Sequence, residues 1–168
     1  MPIVSTDIKI YLSGGASNSD PNASLGGVIS SVELVDNSLH NLFDKITGSE
    51  ADAGDNEYRC IFIKNTHATL TYQSAKVYIH SQTTSSDTSA MISVATENGS
   101  PVQTIANEGV APSGQTFSTA DGAVNALDIG DLAPGETKAI WIKWTVGAGA
   151  AAYANDTLVL KTYGDTEA

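Results

Sequence analysis

At 168 residues the chain suits one domain with a real hydrophobic core and is tight for two. Nineteen Asp and Glu residues against eight Lys and Arg give a net charge of -11, and the basic residues are dispersed from Lys9 to Lys161, which argues against the clustered positive surface that nucleic-acid binding needs. No apolar run approaches the roughly 18 residues of a membrane helix, and the N-terminal Pro2-Ile3-Val4-Ser5-Thr6 lacks the basic flank and apolar stretch of a secretory signal.

Ile8-Lys9-Ile10-Tyr11-Leu12 alternates as a strand does. A loop rich in turn residues follows, from Ser13-Gly14-Gly15 to Asp20-Pro21-Asn22. Leu25 to Val35 resumes as a strand or an irregular edge. Between Asn37 and Thr47, the spacing of Leu39, Leu42, Phe43 and Ile46 is helix-like but short, and predicts one helical turn or an ordered loop. Gly48 to Glu57 then reads as an acidic, turn-rich loop. Glu50, Asp52, Asp55 and Glu57 put several oxygen ligands in one stretch, with Gly54 permitting a tight turn, so this is the candidate calcium site. The spacing is not that of an EF-hand, and the alternative is a solvated acidic turn.

The strand signal is clear from Tyr58 to Asn65. Cys60, the one cysteine, lies in the apolar run Cys60-Ile61-Phe62-Ile63, so disulfides play no part in the fold. Ala75 to His80 alternates, with Val77 and Ile79 on one face and Lys76, Tyr78 and His80 on the other. Ala90 to Ala95 is a further strand. Thr104 to Ala126 reads as a wandering loop with a short strand at Thr116 to Ser118. Asp131-Leu132-Ala133-Pro134-Gly135-Glu136 is a type I or II turn. It leads into the strand Lys138 to Val146, with Ile140, Ile142 and Trp144 on one face and Ala139, Trp141 and Lys143 on the other. After a small-residue connector, Gly147 to Ala152, the last strand runs from Asp156 to Gly164.

Six to eight short antiparallel strands must bury their apolar faces against one another. The expected fold is therefore all-β, a single antiparallel two-sheet β-sandwich with long loops, spanning residues 1–168 as one domain. Chemistry finds little footing. There is no Gly-x-Ser-x-Gly elbow, nothing in the sequence brings His40, His67 or His80 to Cys60, and the glycine pairs lack the Lys and helix of a phosphate loop. The expectation is a non-enzymatic protein without a cofactor other than the calcium considered above.

Several segments together carry a family resemblance: Leu25-Gly26-Gly27-Val28-Ile29-Ser30-Ser31, Asn41-Leu42-Phe43-Asp44, the run from Ala53 to Asn65, Leu132-Ala133-Pro134-Gly135-Glu136, Ala139-Ile140-Trp141-Ile142 and Asn155-Asp156-Thr157. The chain resembles a family of small virion structural proteins of tailed bacteriophages over roughly residues 5 to 164. The resemblance implies a virion location and many copies on a symmetric particle. One implied role is a capsid decoration or cement protein on the major capsid protein shell; another is a tail, neck or baseplate component bound to other virion proteins. Homo-oligomers, trimers among them, would match local symmetry axes. Candidate contact residues are Ile3, Ile8 and Tyr11 in the N-terminal segment and the aromatics Trp141, Tyr153 and Tyr163, since aromatic side chains are enriched at interfaces. A carbohydrate-binding β-sandwich module, using exposed aromatics for stacking, is the remaining alternative.

Overall fold

A computed structural model describes residues 2–166. Nine strands occur among them: β1 (Ile8–Leu12), β2 (Gly26–Gly27), β3 (Asp55–Asn65), β4 (Tyr72–Ser81), β5 (Thr88–Val94), β6 (Val102–Thr104), β7 (Leu127–Leu132), β8 (Thr137–Val146) and β9 (Val159–Thr166). One α-helix, α1 (Gly48–Ala53), precedes β3. The strands form a four-stranded sheet in the order β1-β3-β8-β5, a three-stranded sheet β7-β4-β9 and a small ribbon β2-β6. All named pairings are antiparallel. The expected all-β sandwich is what forms.

Alternation in β8 explains the layering. Ile140, Ile142, Trp144 and Val146 face the three-stranded sheet and pack with Ile61, Ile63, Ile92, Val77, Ile79, Ile129 and Leu132. Ala139 and Trp141 face the opposite way and pack with Tyr58, Cys60, Phe62, Val102 and Ile105. The central sheet is thus buried on both faces, once by its partner sheet and once by the ribbon with its flanking loops. Strands covered on both faces read as continuous apolar runs, and Cys60-Ile61-Phe62-Ile63 and Ala139-Ile140-Trp141-Ile142 both do.

Gly26 shows how closely the ribbon sits. Its φ is +91°, and a Cβ there would lie 2.0 Å from the Gln103 carbonyl oxygen and 3.0 Å from the Trp141 ring. Only glycine fits, because both the backbone conformation and the space exclude a side chain.

At the other end of the sandwich, Ala133-Pro134-Gly135-Glu136 is a type II turn. Gly135 has φ +82° and the Glu136 amide donates to the Ala133 carbonyl at 2.9 Å. The fully buried Asn65 locks this end. Its Nδ2 donates to the Leu70 and Leu132 carbonyls, each at 2.8 Å, and its Oδ1 accepts from the His67 amide at 2.9 Å.

One local expectation is corrected, the loop at Gly48 to Glu57, and two others settle on one of their alternatives. The stretch from Asn37 to Thr47 is an irregular loop, because Asn37 and His40 adopt φ of +56° and +55°, which no helix tolerates. Its apolar residues serve as anchors instead: Leu42 is buried, and Phe43 and Ile46 pack on the core. Helix forms one step later, in the segment read as a loop. The Thr47 hydroxyl accepts from the Glu50 amide and the Glu50 carboxylate accepts from the Thr47 amide, a reciprocal cap at its start. Between Leu25 and Val35 only Gly26–Gly27 forms strand, apart from an isolated bridge between Tyr11 and Glu33.

Candidate functional site

Alternation along β3 places Asp55, Glu57 and Arg59 on the same side as Ile61 and Ile63. The apolar face of the strand therefore turns ionic toward its N-terminal end. Arg59 is completely buried and Glu57 nearly so, with 5% of its side chain exposed. Burying a guanidinium is tolerable only where its charge and donors are met. Arg59 Nη2 donates to Glu108 Oε2 at 2.5 Å and to Asn22 Oδ1 at 3.4 Å, and it lies 3.6 Å from Asp44 and 3.8 Å from Glu57. Nη1 donates to the Tyr58 carbonyl at 3.3 Å, and the guanidinium sits 5.4 Å from the centre of the Phe43 ring. Phe43 in turn rests on Trp144, with ring centres 5.3 Å apart. Four segments distant in sequence thus converge on one cation: the loop at Asn22, the loop at Asp44, β3 and the loop at Glu108.

Two carboxylate triads meet here and share Glu57. One is Asp44, Glu57 and Glu108; the other is Glu50, Asp55 and Glu57. In each, ligand oxygens lie within 4.8 Å of one another. Like charges at that range cost on the order of 1–3 kcal/mol per pair, between the limits of bulk water and a half-buried site. Three of the four expected calcium ligands, Glu50, Asp55 and Glu57, are therefore brought together. Asp52 is not, because α1 carries it about 200° around the helix axis from Glu50, two residues at 100° each.

Burial pushes the Glu57 carboxyl up to about 7; Arg59 opposes the shift, while Glu108, Asp44 and Glu50 reinforce it. An unfolded carboxyl titrates near 4.5. Between those values the folded protein holds a proton that the unfolded chain has released, so raising the pH favours unfolding. The penalty begins near pH 4.5, is complete above pH 7 and amounts to at most about 3 kcal/mol. In cation-free buffer, Glu57→Gln should remove it: the variant should match wild type near pH 4.5 and exceed it in stability at pH 8. Urea titrations at the two pH values read the difference directly. Equal stability differences at both would mean that Glu57 is ordinary.

Of the expected contact residues, Trp141 is corrected. It is fully buried under the ribbon and offers no surface to a partner. Ile3 and Ile8 are half-buried against the main core, and Tyr11 against the smaller one. Lys64 Nζ lies 5.9 Å from the centre of the Tyr11 ring. Tyr153 is 57% exposed and Tyr163 41%. Cys60 is wholly buried and its thiol is held well above the ordinary range by that burial, so no thiolate is present at neutral pH. His67 Nδ1 accepts from the Thr69 and Leu70 amides at 3.2 and 3.0 Å, a turn-stabilising role.

The outer face of the three-stranded sheet carries a second cluster. On β4, Lys76, Tyr78 and His80 point away from the core; on β9, Val159, Lys161 and Tyr163 do the same. Lys76 stands opposite Tyr163 and Tyr78 opposite Lys161. Tyr78 meets Tyr163 edge-on at 6.0 Å and His80 at 6.1 Å. Tyr163 Oη donates to the Ala123 carbonyl at 3.2 Å, beside Val124, which is 96% exposed. Asp128 on β7 stands opposite Lys76, and Asp165 on β9 lies on the same side as Lys161 and Tyr163, so the face combines aromatic and apolar side chains with charges of both signs. The concavities are shallow: a groove of about 360 Å³ bordered by Ser93, Gln115, Ser118 and Asp128, and one of about 210 Å³ bordered by Leu12, Val32, Val35 and Leu39. No protein-family model matches the chain, and no curated protein or solved structure matches it either.

Proposed function

We propose that this chain is a non-enzymatic structural subunit of a bacteriophage virion, a decoration or cement protein that docks on the shell of the major capsid protein. Two things support the reading: the sequence resemblance described above, and the exposed aromatic outer face of the β7-β4-β9 sheet. The carrying observation is that face. It gathers Tyr78, Tyr163, Val159 and Val124 with Lys76 and Lys161 beside Asp128 and Asp165, the mixed aromatic and polar surface expected of a protein contact. Occupancy would then stabilise the assembled shell by mass action, since the subunit binds assembled protein in preference to free parts. A cyclic oligomer, such as a trimer, would let each copy present the same face to a symmetric shell.

Purified particles test this by mass analysis. A copy number in the hundreds, referenced to the major capsid protein, is the expected result; three, six or twelve copies would move the subunit to tail, neck or baseplate, and absence from particles would sink the reading. Tyr163→Glu should lower occupancy of stripped shells about 30-fold, as the loss of a central aromatic anchor does. Asp52→Asn, away from that face, should leave it unchanged.

A further inference from the structure

We propose that β9 is an interface strand, whose free edge pairs antiparallel with the β9 edge of a second copy of this chain and joins two three-stranded sheets into one of six strands. The two larger sheets have four edges, and three of them are guarded. Beyond β1, the Leu12 amide donates to the Val32 carbonyl at 3.1 Å and the Leu34 amide to the Ile10 carbonyl at 2.8 Å. Beyond β5, the Ile92 amide donates to the Ser118 carbonyl at 2.8 Å and the Ser118 amide to the Ile92 carbonyl at 2.9 Å. β7 is interrupted by a bulge between Asp128 and Gly130, with φ +79° at Gly130. β9 pairs with β4 on one side, and among the described residues no backbone hydrogen bond leaves its other side. Both irregularities in that ladder, between Gln73 and Lys76 and between Ile79 and Ser81, put the extra residue on β4, so β9 itself runs regular. A long, regular edge of unpaired amides and carbonyls is a template for another strand.

Charge selects a second copy as the occupant. Alternation exposes Val159, Lys161, Tyr163 and Asp165 on the outer side of the sheet. Neither Lys161 nor Asp165 has an ion-pair partner among the described residues. At roughly 3.3 Å per residue they stand about 13 Å apart along one strand, too far to meet each other. Antiparallel pairing centred on Tyr163 sets Lys161 of each copy opposite Asp165 of the other, so the match occurs twice. Leu160 then faces Thr166, and Thr162 faces Gly164. Unlike charges directly opposite one another stabilise a ladder, and like charges destabilise it. Parallel, in-register pairing would set lysine against lysine and aspartate against aspartate. Moving the axis to Thr162 would set Asp165 against Val159. Tyr163 sits on the axis, and its ring leans back over β4 to Tyr78 and the Ala123 carbonyl, which leaves the edge uncrowded.

The pairing is isologous and closes after two copies. It would double the exposed aromatic face on one continuous sheet, yet it does not rest on docking to a shell. Association is read on the purified chain alone, so either reading can fail without the other.

Sedimentation equilibrium of the full chain is the test, at about 0.15 M salt, where longer-range repulsion between acidic chains is screened. A monomer–dimer equilibrium with Kd on the order of 10 µM is expected, as fits a small interface. Lys161→Asp and Asp165→Lys should each weaken it at least tenfold, since each sets like charges opposite one another at two places. Mixed in equal amounts, the two variants regain both unlike pairs, and a mixed dimer within about threefold of wild type is expected. Amide exchange across residues 160–166 should slow as the wild-type concentration rises, a readout that needs no variant to fold. A wild-type chain still monomeric at about 500 µM would overturn the proposal. So would single variants that dimerise as wild type does, a mixture that stays monomeric, or a dimer in which exchange along β9 is unchanged.

Discussion

Replacing Arg59 with methionine should destabilise the protein by about 3–5 kcal/mol at pH 8, the range for breaking a buried ion pair by removing one partner. The side chain is completely buried and faces Glu108, Asp44 and Glu57 together. Methionine fills much the same space, so the loss is electrostatic rather than steric. What remains is a group of carboxylates with no counter-charge, one of them nearly buried. The effect should shrink as the pH falls through about 7, where Glu57 takes up its proton, and Glu57→Gln on top of Arg59→Met should recover part of it. Urea unfolding of the four proteins in the double-mutant cycle measures this. A cost under 1 kcal/mol at pH 8, or no coupling to Glu57, would mean that the guanidinium does not hold the cluster together. Loss of the three loops that converge on Arg59 should also appear as faster amide exchange around Asn22, Asp44 and Glu108 before global unfolding.

Trp141→Ala should cost a similar amount, about 3–5 kcal/mol, through packing alone. Trp141 has no exposed surface; its cross-strand neighbours are Cys60 on β3 and Ser93 on β5, and the Gly26 backbone lies against its ring. Truncation would leave a void beneath the β2-β6 ribbon, whose two residues per strand at β2 cannot close over it. The indole Nε1 is a buried donor without a hydrogen-bond partner, a group that costs stability rather than adding to it. Trp141→Phe keeps most of the ring and removes that donor, so its cost should stay near 1–2 kcal/mol. Against a total stability of about 5–15 kcal/mol, alanine at this position should bring the chain close to unfolding. Denaturant melts of both variants check it, and near-equal costs for Phe and Ala would show that the ribbon collapses to fill the space.

Much of this arrangement can be read from the residues. The alternation in Lys138 to Val146 separates Trp141 from Trp144 and assigns each to its core. Pro134-Gly135 marks its turn by backbone chemistry alone. Lys76, Tyr78 and His80 fall on one face by the same alternation that buries Val77 and Ile79. Arg59 was visible too, since period-two counting from Ile61 and Ile63 points it inward, and an inward arginine demands acidic company. Which acids provide it is a different matter: Asp44 and Glu108 come from loops whose positions depend on tertiary packing, and nothing local names them. The β2-β6 pairing joins Gly26-Gly27 to Val102–Thr104 with no periodic signal in either segment. The helix at Gly48–Ala53 has a local mark, the Thr47-x-x-Glu50 cap, whereas the apolar spacing of Leu39, Leu42, Phe43 and Ile46 mimics a helix that the positive φ at His40 excludes.

The pairing of β3 with β8 also governs the timing of folding. Residues 55–65 find their main partner at 137–146, so the middle of the principal sheet cannot form until most of the chain has been synthesised. Closing a loop of that length must precede any reward from the apolar faces, which places the protein among slow folders with relaxation in milliseconds to seconds. During synthesis, Cys60-Ile61-Phe62-Ile63 leaves the ribosome before the strand that will cover it, and β1 can offer only five residues of shelter. A chain halted before residue 137 should therefore aggregate or be degraded rather than persist as a partial sandwich, and chaperone dependence should end abruptly once β8 emerges.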